Sequence, residues 1–328
     1  SAGVTGGGGD FVFTSSDGTT KLDHEIEKYA SSSGELWAWV EVPTLSVTQD
    51  TTLYVYYGGP SSGATNQNPT GVWTEYGGVW HLGENPTATC AGTKEICDST
   101  SNDNDGDAVA MESGDQVAGK IGGSLNFGGT DENVAIPDPA NGSLDFGTDS
   151  FTYSVWTKKT RNVNWEVFFG KSNAGIDNKR YTMECNGTPY CYIELSDGTT
   201  SQQPVSFEGV GRTSLNEWVY LTVVIDNTAN IAYAYKNGAL YQEGSFGSLG
   251  ALSNDHALNI GSSGNGTYHL IGGLDEARVS VSGIIRSADW IKTEYNNQNK
   301  PSTFASLSGT QVQIRTAAGL KIGTTAST

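Results

Sequence analysis

Acidic residues are the first feature of the chain that could do chemistry. The stretch Ser101-Asn-Asp-Asn-Asp-Gly-Asp-Ala-Val-Ala-Met-Glu112 sets Asp103, Asp105, Asp107 and Glu112 around Gly106. Alternating carboxylates, a turn glycine and a closing glutamate are how an oxygen-ligand loop wraps a hard cation such as Ca2+. Ser101 stands where such a loop would begin with aspartate, and the flanks lack a helical pattern. The competing reading is a solvated acidic loop tied down by Cys97, and any calcium held there would be structural. Glycosidic cleavage needs two carboxylates on one cleft face. Outside the acidic loop, Glu25 and Glu27 have the alternating spacing for this, in the first and smaller part of the chain, flanked by charged and polar residues. Asp275 and Glu276 are neighbours, so a regular strand points them to opposite faces. Ser, His and Asp are all present, but no motif positions a nucleophile. The chain is expected not to be an enzyme.

Four cysteines fall in two close pairs, Cys90 with Cys97 and Cys185 with Cys191. Neither pair has C-x-x-C spacing, and the four histidines are not arranged as a zinc ligand set. Disulfides in an oxidising compartment are the simpler reading. Four cysteines permit three connectivities, which the sequence leaves open; closeness within each pair motivates local bridges. Loops this short would each contribute about 2 kcal/mol, so the bridges pin loops without making the fold.

The elements that must position these groups are strands. The 328 residues include 43 Gly, 15 Tyr, 10 Phe and 8 Trp, with only 16% charged residues. Glycine punctuates turns, and aromatic and β-branched side chains suit pleated surfaces, so the mixture favours many short strands over helices. The formal net charge of −18 would be repelled by nucleic acid or an anionic membrane surface. No apolar run approaches the roughly 18 residues of a membrane span. The opening Ser1-Ala-Gly-Val4 and its glycine run read as a processed start. An extracellular or cell-surface protein is expected.

Alternation predicts strands at Phe11 to Phe13, Leu36 to Val42 and Thr52 to Tyr57, with a turn at Asp17-Gly18. His24 to Tyr29 has helical propensity but is short and uncapped. Residues 1–60 thus form a small β domain, 61–71 a Ser-, Asn- and Pro-containing linker, and 72–304 a larger domain. In the larger domain strands are expected at Gly78 to Leu82, Ser124 to Phe127, Asn133 to Ile136, Phe151 to Thr157, Trp165 to Gly170 and Tyr190 to Leu195. Others follow at Trp218 to Asp226, Ile231 to Lys236, Leu258 to Gly261 and Gly273 to Ser280, a spacing that suits an all-β sandwich. Asn237-Gly238 supplies the two positive-φ positions of a type I′ hairpin turn. Ser287 reads as the N-cap of one helix carrying Trp290, Ile291 and Tyr295. In the tail, residues 305–328, Gln311 to Arg315 and Leu320 to Ile322 alternate like two short strands.

The larger domain resembles the laminin-G-like, concanavalin-type jelly rolls of bacterial and archaeal surface proteins. Gly78-Val-Trp-His-Leu-Gly-Glu84, Gly119-Lys-Ile-Gly-Gly-Ser-Leu-Asn-Phe127 and Phe151-Thr-Tyr-Ser-Val-Trp156 carry the likeness, with Glu217-Trp-Val-Tyr-Leu221, Gly273-Leu-Asp-Glu-Ala-Arg-Val279 and the ending Arg286 to Gln298. Through Asp10-Phe-Val-Phe-Thr-Ser-Ser-Asp-Gly18, Trp39-Val-Glu-Val-Pro43 and Tyr54-Val-Tyr-Tyr-Gly58, the first segment resembles the C-terminal half of a small β domain of unknown function that often precedes such jelly rolls. Members have two more strands before this point, where this sequence has a glycine-rich stub, so an unpaired sheet edge is expected. Trp80, Trp156 and Trp218 fall in the matching stretches and read as core; Trp165 and Tyr190 lie near loops and are the better candidates for stacking on sugar rings.

Two function classes remain, both non-enzymatic. The first is a surface structural subunit that joins copies of itself by strand exchange, with Val312, Ile314, Leu320 and Ile322 of the tail filling alternate pockets of the first domain in cis or in trans. The second is a lectin-like adhesion module that binds glycans.

Overall fold

In the computed structural model the described residues are 8–46, 48–57, 66–90, 92–161, 165–172, 178–185, 190–210, 214–264, 266–306, 308, 313–316 and 319–322. The first segment supplies β1 (Val12–Thr14), β2 (Lys21–Leu22), β3 (His24–Ala30), β4 (Glu35–Val40) and β5 (Tyr54–Tyr56). The Asp17-Gly18 turn forms as the sequence predicts: Gly18 has φ +71°, and the Asp17 carboxylate accepts from Thr19 N, Thr20 N and Thr20 Oγ1. It links β1 to β2 in a three-stranded sheet of order β2-β1-β5. The helical propensity of His24 to Tyr29 does not prevail. This stretch is β3, paired with β4 from His24↔Val40 to Ala30↔Glu35. Cross-strand partners and a buried Ile26 outweigh a weak local preference.

The later part of the expected linker, residues 66–68, is fastened to β3 and to the segment before β1. Asn68 N donates to His24 O (2.9 Å), Ile26 N to Gln67 Oε1 (2.6 Å) and Asn66 Nδ2 to Gly9 O (3.0 Å). A single helical turn, α1 (Pro69–Val72), then leads into the sandwich.

The jelly roll contains β6 (Tyr76–Trp80), β7 (Asp107–Val109), β8 (Gln116–Ala118), β9 (Gly123–Gly128), β10 (Asn133–Ile136), β11 (Phe151–Lys159), β12 (Glu166–Ser172) and β13 (Lys179–Cys185). It continues through β14 (Tyr190–Asp197), β15 (Ser201–Gln202), β16 (Ser206–Glu208), β17 (Val219–Asp226), β18 (Ile231–Lys236), β19 (Ala239–Ser245), β20 (Leu258–Ile260) and β21 (Ile271–Ser280). The front sheet has the order β15-β14-β13-β12-β20-β10-β7, with β16 also on β14. The back sheet has the order β19-β18-β17-β11-β21-β9-β8, with β6 also on β21. Period-two alternation builds the core between them. Phe151, Tyr153 and Val155 of β11 face Phe169, Tyr181 and Met183 of the front sheet in one buried cluster. Asn237 and Gly238 take φ +52° and +74° in the β18–β19 turn, and Ser287 Oγ accepts from Trp290 N (3.2 Å) to cap α2 (Ala288–Asn299).

The helix lies on the outer face of the back sheet, where Trp156 Nε1 donates to Gln298 Oε1 (2.5 Å) and the Trp156 ring stacks on Tyr295. The β3–β4 pair covers the neighbouring part of that face. Beyond α3 (Pro301–Phe304), β22 (Gln313–Thr316) and β23 (Gly319–Ile322) pair antiparallel with each other. Among the described residues they join no other sheet, with Arg315 opposite Leu320 and Ile314 opposite Lys321. Val312 lies outside the described residues.

Candidate functional site

The register across the front sheet decides where the two loop aromatics stand. Glu166, Cys185 and Cys191 form one row across β12, β13 and β14. Trp165 and Tyr190 each lie one residue beyond that row, at the same end of the sheet and two strands apart, roughly 10 Å. Both are exposed, at 44% and 45%. Trp165 has a neighbour that the sequence reading missed. Tyr268, in the β20–β21 connection, is 41% exposed and its ring centroid is 5.4 Å from that of Trp165, with the planes tilted 31°. Both residues have left-handed backbones, φ +64° and +58°, a conformation that costs about 1 kcal/mol or more outside glycine. Val167 N donates to Tyr268 O (2.9 Å), and Ile271 N to Glu166 Oε1 (2.9 Å), so the two aromatic segments are tied together. Beneath them Lys159 of the back sheet forms a buried ion pair with Glu166 of the front sheet. Burial lifts the Glu166 carboxyl above the ordinary range even though Lys159 pulls it down. The result is two exposed rings on a buried, ion-paired foot, a surface suited to the C–H face of a sugar.

Core alternation puts Thr182 and Glu184 of β13, and Tyr190, Tyr192 and Glu194 of β14, on the outer face of the front sheet. Tyr192 Oη donates to Glu184 Oε1 (2.5 Å) and Thr182 Oγ1 to Glu184 Oε2 (3.2 Å). Burial raises the Glu184 carboxyl. Glu194 accepts from Ser201 Oγ (2.6 Å) and lies 3.7 Å from Arg180. This carboxylate pair arises from cross-strand register and has no linear signature.

A second cluster lies between the β3–β4 pair and the back sheet. Leu274, Ala277 and Val279 of β21 all face the core, a spacing that contains one extra residue. The bulge lies between Asp275 and Arg278, with Glu276 at φ +54°, and turns both carboxylates outward rather than to opposite faces. They occupy the place where β9, paired to Ile271–Leu274, gives way to β6, paired to Ala277–Ser280. Glu25 and Glu27, alternate residues of β3 with a second register shift at Glu27, both reach this point. His81 joins them, with Nδ1 2.8 Å from Glu276 Oε1 and 3.8 Å from Glu27 Oε2, and Nε2 3.3 Å from Glu25 Oε2. Trp73 Nε1 (2.5 Å) and Ser99 Oγ (2.7 Å) donate to Glu25, and Trp39 Nε1 (2.9 Å) to Glu27. Arg278 pairs with Glu276 and Glu294, and its guanidinium lies over Trp39 (4.3 Å) and Trp73 (4.7 Å). Burial works against the charge on His81, but Glu276 and Glu25 hold it well above its ordinary range. Burial, and then the Glu276 charge, pushes Glu27 up to about 8. Burial and Glu276 likewise raise Asp275 far above its usual value.

The acidic loop places its residues differently from a cation cage. Asp103 sits at φ +52°, Asp105 Oδ1 accepts from Asp98 N (2.8 Å), Asp107 pairs with Lys94 (2.5 Å), and Glu112 caps a short 3-10 turn by exchanging bonds with Asp115. These four are not brought together. Among the described residues the one group of three metal-ligating side chains is Glu27, His81 and Glu276. The disulfides are Cys90–Cys97 and Cys185–Cys191, the second joining β13 to β14 beside the aromatic end. Trp80 and Trp156 are buried, and Trp218 is half-buried. No helix among the described residues is long and apolar enough to cross a membrane.

Residues 127–284 match the concanavalin A-like lectin/glucanases superfamily, and residues 7–79 match a domain of unknown function (DUF2341). No curated protein matches the chain in sequence. Solved structures with a similar fold include the receptor binding domain of botulinum neurotoxin C/D mosaic serotype, at TM-score 0.53 and 13% identity over 69% of this chain and 52% of that one. The botulinum neurotoxin serotype G binding domain is similar at TM-score 0.52 and 14% identity, over 68% of this chain and 51% of that one. The chain thus spans about half the length of these neighbours, and at such identity the likeness is one of fold. It carries a concanavalin A-like, laminin-G-like jelly roll preceded by a small β domain of unknown function.

Proposed function

We propose that the chain is a non-catalytic, extracellular adhesion module that binds glycans at the Trp165–Tyr268 end of its jelly roll. The observation that carries this reading is the exposed ring pair held in left-handed backbone over the buried Lys159–Glu166 pair. Hydrophobic burial alone would not keep two large rings in water on a strained backbone, and strain of this kind accumulates at ligand sites. Tyr190 extends the aromatic surface along the same sheet end. The lectin-type fold supports the reading, and so do the two disulfides, which suit an oxidising exterior. Binding without cleavage fits the occupied carboxylates Glu184 and Glu194. A glycan array probed with the wild-type chain and with Trp165→Ala tests the proposal. Array signal that Trp165→Ala loses, with no release of reducing sugar from the bound glycan, supports it. Hydrolysis abolished by Glu184→Gln would replace it with a glycosidase.

A second reading, self-association through the tail, is favoured by one observation. Among the described residues the sheet β2-β1-β5 has three strands, with Tyr54 and Tyr57 exposed at its β5 edge, while β22 and β23 pair only with each other. Strand addition to that edge in a neighbouring chain would be head-to-tail and need not close.

A further inference from the structure

The cluster under the β3–β4 pair contains four buried carboxylates, Glu25, Glu27, Asp275 and Glu276, against two cations, His81 and Arg278. Glu294 on the far side of Arg278 and Lys120, whose ammonium is turned to Asn299, lie at its margin. With all four ionised, the excess of two negative charges would sit where side chains are at most 8% exposed. Moreover, Glu27 Oε1 and Asp275 Oδ1 have no hydrogen-bond partner. Buried carboxylate oxygens left without a donor are costly and ask for a ligand.

We propose that Glu27, His81 and Glu276 bind one divalent cation of the zinc class, which clamps the N-terminal β domain to the jelly roll. One donor atom from each of the three lies within 4.8 Å of the others. The His81 Nδ1 separations of 2.8 and 3.8 Å from Glu276 and Glu27 bracket the roughly 3.3 Å edge of a tetrahedron with bonds of about 2.0 Å. Glu25 takes the outer place that fixes a metal-bound imidazole. It faces His81 Nε2 at 3.3 Å, is itself held by Trp73 and Ser99, and leaves the Nδ1 lone pair for the metal. With His81 neutral, the cation and Arg278 set three positive charges against the four carboxylates. One imidazole and two carboxylates suit zinc; calcium wants six to eight oxygens. The ligands come from β3, from the turn after β6 and from the β21 bulge, so the ion joins both domains and is structural.

The test uses the full chain. Elemental analysis of the purified protein should find one zinc per chain. Chelator-stripped protein should rebind one Zn2+ in calorimetry with a rise in thermal midpoint, whereas Ca2+ should do neither. Cobalt loading should give the visible absorption of a tetrahedral Co2+ site. Glu25→Gln should weaken zinc binding about 10–100-fold, and Glu27→Gln should remove stoichiometric binding. Buried substitutions risk unfolding, so the stripped wild type decides by itself. Failure of that protein to bind zinc, or undiminished binding by a folded Glu27→Gln variant, overturns the proposal.

Discussion

Replacing Lys159 with methionine keeps the length and apolar contacts of the side chain, including its place near the Phe168 ring, and removes only the ammonium. The two partners are 1% and 0% exposed, so Glu166 would be left as an uncompensated buried carboxylate between the sheets. Breaking a buried pair on one side costs about 3–5 kcal/mol, which for a domain of this size corresponds to a fall in midpoint on the order of 10 °C. The cost should depend on pH in a defined direction. Burial already raises the Glu166 carboxyl above its ordinary range, and losing Lys159 raises it further. A raised carboxyl means that the folded state keeps a proton which the unfolded chain releases. The penalty is therefore absent below the ordinary carboxylate range and grows as pH rises toward the native value. Urea titrations at acidic and neutral pH should show a small loss at the first and the full loss at the second. The double variant Lys159→Met/Glu166→Met should recover most of the stability, short of about 1 kcal/mol for the bond from Ile271 N. A single variant within 1 kcal/mol of wild type at neutral pH, or a loss independent of pH, would refute the reasoning.

Removing the bridge at Cys185 and Cys191 with a double alanine substitution should cost about 2 kcal/mol and leave the fold intact, since the closed loop is short; chemical denaturation and far-ultraviolet dichroism check both. Gly238→Ala forces a Cβ into left-handed backbone, 2.8 Å from Tyr295 Cβ, and should cost about 1–2 kcal/mol in the same titration. Deleting residues 309–328 should convert any larger species seen by light scattering to monomer if the tail adds strands to a neighbouring chain. An unchanged mass and melting curve would end that reading.

The sandwich was legible because its signals are local. The hairpin at Asn237-Gly238, the cap at Ser287 and the alternation of Phe151 to Thr157 each predict one element, and each element is present. Strands with a polar outer face were harder to see. Lys179–Cys185 alternates Tyr181 and Met183 with Arg180, Thr182 and Glu184, and was not expected as a strand. The sites were least legible, because bulges and register made them. The regular-strand rule separates Asp275 from Glu276, but an inserted residue unites them. Glu25 and Glu27 carry the right spacing, yet their partners lie far along the chain, His81 in the turn after β6 and Glu276 in the β21 bulge. Tyr268 follows an Asn-Gly turn signal in a loop, and only the fold sets it beside Trp165.

The central claim is tested most directly by titrating the preferred glycan from an array into the wild type, Trp165→Ala and Tyr268→Ala by calorimetry. Each ring should contribute about 1 kcal/mol of stacking, so each variant should bind roughly fivefold more weakly while keeping the wild-type melting curve. Affinity unchanged in both variants, or the absence of binding to any glycan, would contradict the assignment.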